Sequence, residues 1–186
     1  LVAGCGDAQE GPTGVLLISI DSLRADHLSA YGYKSPTRPE IPTSPNIDKL
    51  IARGGALFTD ASASTSWTLP SHLTMLTGRP NELHGVRALP DRLPHDVPML
   101  QERFRDAGWR TAGFWSGPNL HPWFGFDRGF EQYIDCSAHT VPDPDIFDVD
   151  PSGDQQAIIA LHEESHSGIT GPKVADAFDD WLGAVD

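Results

Sequence analysis

Cysteine, methionine and positive charge are all scarce in this chain. There are two cysteines, Cys5 and Cys136, and two methionines, Met75 and Met99. Two cysteines so placed make neither a disulfide framework nor a zinc cluster. No run of about 18 apolar residues occurs, so no segment reads as a membrane-spanning helix. Lys and Arg number 13 against 26 Asp and Glu, a net charge of −13. Such a surface repels phosphate backbones, which argues against nucleic acid as a partner. An anionic substrate then needs a metal ion or a local cationic pocket to offset that field. Internal repeats and low-complexity tracts are absent too. What remains is the composition of a globular protein, 39% hydrophobic, with enough Gly and Pro (18 and 16) to supply many turns.

The first residues, LVAGCG, are small and apolar and lead into Gly4-Cys5. They resemble the end of a bacterial lipoprotein signal. By that resemblance Cys5 is the lipidation site, residues 1–14 are signal remnant and tether, and the protein is held on a membrane surface in the bacterial cell envelope, periplasmic or otherwise extracytoplasmic.

Residues 15–20, VLLISI, form a continuous apolar run before Asp21 and read as a buried parallel strand. Four prolines in 35–45 mark a loop. The spacing of Ile47, Leu50 and Ile51 predicts a helix from Asn46, stopped at Gly54. ALFTDAS at 56–62 alternates as a strand does. Further helices are predicted from Pro70 to Thr77, over 97–107, and over 172–185 with Val174, Ala177, Phe178 and Leu182 on one face. A strand is predicted at WRTAGFW (109–115) and an acidic surface excursion at 136–156. Strand and helix alternate over short links, so the expected fold is α/β with a mainly parallel sheet flanked by helices. Ligands of such sheets sit at the carboxyl ends of strands. Asp21 would stand there, either as a helix cap or as a metal ligand.

The chemistry concentrates in STSWTLPSHLTMLTG, residues 64–78. Thr68 precedes a proline and a predicted helix whose first amides favour an anion. A hydroxyl there can attack phosphorus or sulfur once its pKa is lowered. His72 lies one helical turn on, on the same face. The plain alternative is an ordinary helix cap beside a structural histidine.

VLLISIDSLRADHLSAYGY, SPNIDKLIARGGALFTDASASTSWTLPSHLTMLTGRPNELHGV and GFDRGFEQYID together are similar to the amino-terminal half of sulfatases, members of the alkaline phosphatase superfamily. The resemblance runs from about residue 14 to 135. It implies an alkaline phosphatase-like α/β domain over 15–186, incomplete in this chain, and metal-dependent hydrolysis of small anionic sulfate or phosphate esters. It implies a divalent metal ion (Zn, Mn or Ca) with Asp21, Ser22 and Thr68 as ligands, and Thr68 and His72 as catalytic residues. Ser22 stands where sulfatases commonly have a second metal-binding Asp. Thr68 and His72 occupy the Cys/Ser and Arg positions of the sulfatase Cys/Ser-x-Pro-x-Arg motif, whose first residue becomes formylglycine. Thr-x-Pro-x-His instead resembles the motif of the superfamily's phosphodiesterases and phosphotransferases, which use an unmodified threonine. Sulfatases commonly carry Gly-Lys-Trp-His near 113–116, where this chain has Trp115-Ser116-Gly117. These exchanges remove cationic partners of sulfate, so phosphoryl chemistry is expected ahead of sulfate. Arg24, Arg79 and Asn119 are the expected substrate contacts, and His84, in LHGV, is expected to be structural.

A second motif competes. HEESH at 162–166 matches His-Glu-x-x-His, the zinc-protease pattern with Glu163 as base. The early Gly168 and the lack of a third downstream ligand speak against it. A third expectation is catalytic inertness of this stretch by itself, because no Asp-His-Gly motif, which commonly supplies further metal ligands in the superfamily, occurs before Asp186.

Overall fold

The structure is a computed structural model that describes residues 14–137, 168 and 170–185. HEESH, Cys5 and most of the predicted acidic excursion therefore lie outside the described residues. The chain divides between Ala61 and Ser62 into two compact units.

Among its described residues the first unit holds one α-helix, α1 (Pro45–Ala52), and two 3-10 turns, Ala25–His27 and Ser29–Tyr31. Pro45 occupies the first helical position, where a missing N–H costs nothing. Buried Ser44 precedes it and ties the helix to the second turn. Its hydroxyl lies 2.8 Å from Ser29 Oγ, and both hydroxyls donate to the Asp48 carboxylate at 3.1 and 2.7 Å. Ile47 and Ile51 are half-buried as the spacing predicts, whereas Leu50 is exposed.

Two expectations fail in this unit. Residues 15–20 belong to no sheet, and Val15 to Ile20 are exposed, with Ile18 at 70%. Residues 56–62 form no strand, and a bend falls at 59–60. The physical reason is shared. A strand exists through ladder bonds to neighbours, and a run apolar on both faces announces the need for such neighbours without naming them.

The second unit is α/β. A two-stranded parallel sheet pairs β1 (Ala112–Trp115) with β2 (Gln132–Asp135), in the register Ala112 to Gln132 through Trp115 to Asp135. The connection between parallel strands must cross over, and here it runs through 3-10 turns at Pro118–Leu120 and Pro122–Phe124. The unit also holds α2 (Thr68–Thr77), α3 (Asn81–His84), α4 (Leu100–Asp106) and α5 (Gly171–Val185); α3 and α4 pack on α2, and α5 packs on β1. On α5, Trp181 takes the inward place expected of Leu182, which is exposed. Phe178 and Trp181 meet Phe114 of β1 edge-on at 6.0 and 6.3 Å, a favoured aromatic geometry.

Leu69, Leu73, Val86, Leu93, Val97, Met99, Phe124 and Phe126 form one buried cluster. Leu69 and Leu73 bring the inner face of α2 into it, and α2 also packs on the Pro118–Leu120 turn, whose Leu120 lies against the same cluster. The α/β reading is thus realised in part, with helices and a small parallel sheet.

Candidate functional site

The site is described unit by unit. In the first, Asp21 and Ser22 form a tight corner after the apolar run. The Ser22 amide donates to Asp21 Oδ1 at 2.9 Å. Ser22 has φ 57°, a left-handed conformation that a side chain disfavours. Among the described residues it is the single non-glycine with positive φ. Backbone strain of this kind gathers at functional corners. Arg24 grips Asp26 through two hydrogen bonds, one from Nε at 2.9 Å, and both side chains are exposed. That pairing holds the Asp26 carboxyl well below the usual carboxylate range and directs the guanidinium at its own neighbour.

The second unit holds Thr68 and His72. Thr68 is the first residue of α2, after Trp67 as N-cap. It therefore does not serve as the N-cap hydroxyl. The helix begins two residues before Pro70, which sits within the first turn, where an amide proton is not needed. Thr68 is half-buried, between exposed Trp67 and the buried pair Leu69 and Pro70. His72 Nδ1 lies 2.9 Å from the Thr68 carbonyl oxygen. A carbonyl only accepts, so Nδ1 carries the proton and Nε2 is the acceptor of the neutral ring.

Asn119 stands half-buried in the 3-10 turn that packs on α2, so its turn and the reacting helix share an interface. Ser116 Oγ accepts a hydrogen bond from Thr170 Oγ1 at 3.2 Å. Arg79 follows the Gly78 cap at the far end of α2, roughly 15 Å along the axis from Thr68. The structure thus joins Thr68 with His72 and brings the turn of Asn119 to the same helix, but sets Arg79 at its opposite end.

A buried polar cluster braces α2 from within. His84, 1% exposed, closes the single turn of α3. Its Nε2 lies 3.1 Å from Thr74 Oγ1 of α2, its Nδ1 accepts the Val86 amide at 3.2 Å, and Thr74 Oγ1 donates to Asn81 Oδ1 at 3.0 Å. Burial lowers the pKa of His84 below the ordinary imidazole value. His121 is also shifted down by burial, against the pull of Asp135 and Asp127, and its Nδ1 accepts the Trp123 amide at 3.0 Å.

Among the described residues, no three His, Cys, Asp or Glu side chains gather as a metal shell. Asp21 offers one hard carboxylate donor, and Ser22 a neutral oxygen beside it. That donor chemistry fits part of the shell of an oxygen-preferring or borderline divalent cation. No described helix is long and apolar enough to cross a membrane.

The Sulfatase family model matches residues 13–173 of this chain, a span that runs across the HEESH residues. Over 142 residues the chain is 36% identical to bovine (Bos taurus) arylsulfatase A and 38% identical to human (Homo sapiens) arylsulfatase A. Each alignment covers 69% of this chain and 27% of the relative, so the chain spans about a quarter of the length of the curated relatives it matches. No solved structure matches.

Proposed function

The chain belongs to the sulfatase family, and from that premise we propose that it forms the nucleophile-bearing part of a hydrolase of sulfate or phosphate esters, with Thr68 as an unmodified nucleophile. The observation that carries the reading is the pairing of Thr68 and His72 on the first turn of α2. Thr68 Oγ1 gives up its proton to solvent and attacks the phosphorus or sulfur centre of an anionic ester. The new oxygen–phosphorus or oxygen–sulfur bond forms as the ester bond opposite it breaks, and the leaving alcohol departs with a proton from solvent. Water then cleaves the Thr68 adduct and restores the hydroxyl.

The start of α2 contributes electrostatics: the positive end of the helix favours the anionic group beside Thr68. His72 is bound through Nδ1 to the Thr68 carbonyl, which orients the ring at the start of the helix. Asn119 is a neutral contact from the turn against α2. Asp21 and Ser22 would hold a divalent cation, which supplies charge neutralisation and acidifies hydroxyl groups when bound. Phosphoryl transfer is the better fit, because Thr68, His72 and Ser116 replace the formylglycine precursor and cationic positions that sulfate esters favour. HEESH, lying inside the span of the family match, is read as part of this domain rather than as a separate protease site.

The test compares p-nitrophenyl sulfate with bis(p-nitrophenyl) phosphate in the intact protein. Thr68→Ala should abolish turnover of whichever ester is cleaved, by a factor of roughly a thousand or more. Mass analysis of the peptide containing Thr68 should show plain threonine. Wild-type turnover by Thr68→Ala overturns the assignment, and faster sulfate than phosphodiester cleavage overturns the preference.

A further inference from the structure

We propose that His84 is a positioning residue for the reacting start of α2: from inside the fold its imidazole clamps Thr74 of α2 against Asn81 of α3 and so fixes where Thr68 and His72 stand. This rests on the reading of Thr68 as nucleophile.

The bonds define one direction for every proton. The Val86 amide can only donate, so Nδ1 of His84 is an acceptor and Nε2 carries the hydrogen. Nε2–H then donates to Thr74 Oγ1, and the Thr74 hydroxyl spends its own proton on Asn81 Oδ1. Asn81 and His84 are the two ends of the one turn of α3, which Gly85 closes at φ 81°. Together they hold Thr74 from two sides. The ring also faces the backbone of Pro70, midway between Thr68 and His72.

Apolar packing alone does not fix a helix so closely. Leu69 and Leu73 hold α2 on the core through non-directional contacts, which tolerate a small rotation or slide. Hydrogen bonds are directional and weaken steeply off axis. Thr74 stands about 3 Å along the axis from His72 and about 9 Å from Thr68. A rotation released at Thr74 therefore moves the reacting face as a rigid body, and a misplacement of about 1 Å at a reacting atom costs on the order of a hundredfold in rate.

The experiment measures kcat and KM on bis(p-nitrophenyl) phosphate for the intact protein. His84→Ala and Thr74→Val should each lower kcat at least roughly tenfold with KM changed less than about twofold. The double variant should be no slower than the worse single one, because both remove the same clamp. His84→Gln, which returns an N–H donor near the position of Nε2, should recover most of the rate. Wild-type kcat in folded Thr74→Val, or losses that multiply in the double variant, overturns the clamp. Should His84→Ala not fold, Thr74→Val and His84→Gln decide, since threonine and valine are near-isosteric. Thr68→Ala in the same assay separates the two readings. Its retained turnover, or wild-type protein cleaving neither ester, overturns both. Its inactivity beside an unaffected Thr74→Val overturns the clamp alone.

Discussion

His72 and His84 are held in opposite tautomers by partners that leave no choice. His72 gives its Nδ1 proton to the Thr68 carbonyl, and His84 accepts the Val86 amide at the same ring atom. The consequence for His84 is a pH dependence with a definite sign. Its surroundings favour the neutral ring: burial disfavours the charge and outweighs the opposing pull of the Pro70 backbone, its own backbone and Glu82. Protonation would also set an Nδ1–H against the Val86 N–H. The folded pKa thus lies below the unfolded value of about 6.5. The unfolded chain binds more protons across that interval, so the stability due to His84 is complete above about pH 6.5 and is lost as pH falls through the folded pKa. Urea unfolding at a series of pH values should show wild-type stability declining below about pH 6.5. The decline should be shallower in His84→Gln, which keeps no titrating group there, although His121 sustains part of it. Equal slopes in both proteins would remove His84 as the cause.

Elements whose signal is local appear where the sequence places them; of the three predicted strands only WRTAGFW does, as β1 paired with β2. The periodicity of 97–107 becomes α4, the Pro70 segment becomes α2, and the last helix runs Gly171–Val185. VLLISI carries the strongest strand signature in the chain and forms no strand among the described residues, because its ladder partners are not written into its own composition. The candidate site divides in the same way. Thr68 and His72, one turn apart, are legible from spacing. The left-handed Ser22 and the clamp on Thr74 depend on backbone geometry and on contacts ten residues away, which spacing does not reveal. One element-scale feature gives a sharp test. Gly129 has φ 87°, and a Cβ there would stand 2.5 Å from the amide nitrogen of Glu102 on α4. The neighbouring Arg128 binds the carbonyls of Pro94 and Val97 and the Glu102 carboxylate, so the backbone of α4 has little room to retreat. Gly129→Ala combines a left-handed penalty with overpacking and should cost about 2–5 kcal/mol. Gly85→Ala meets nothing within 4 Å and should lose only about 1–2 kcal/mol, the conformational part. Calorimetric melting of both variants checks the difference, and equal losses would mean the contact with α4 is unimportant.

The charge of the whole molecule bears on how an anionic ester arrives at all. With a formal net charge of −13 at pH 7, the protein repels the substrate it is proposed to cleave. Two sources can offset that field. One is the helix start itself, which acts over the first turn only. The other is a divalent cation with Asp21 among its donors. They respond differently to treatment. Salt screens the diffuse repulsion, whose reach shrinks from roughly 30 Å at 0.01 M ionic strength to about 8 Å at 0.15 M, and has far less effect on a cation bound at close range. Raising ionic strength over that interval should therefore lower KM by a few-fold while kcat stays level. Prolonged treatment with a chelator should instead abolish kcat at every salt concentration, with recovery on adding back Ca, Mn or Zn. Asp21→Asn should reproduce the chelated behaviour and blunt the recovery, because an amide keeps the oxygen but gives up the charge. Steady-state kinetics on bis(p-nitrophenyl) phosphate across salt, with and without chelator, distinguishes the two. Full activity after metal removal would place the whole burden of charge on the first turn of α2 and make Asp21 a corner of the fold rather than a ligand.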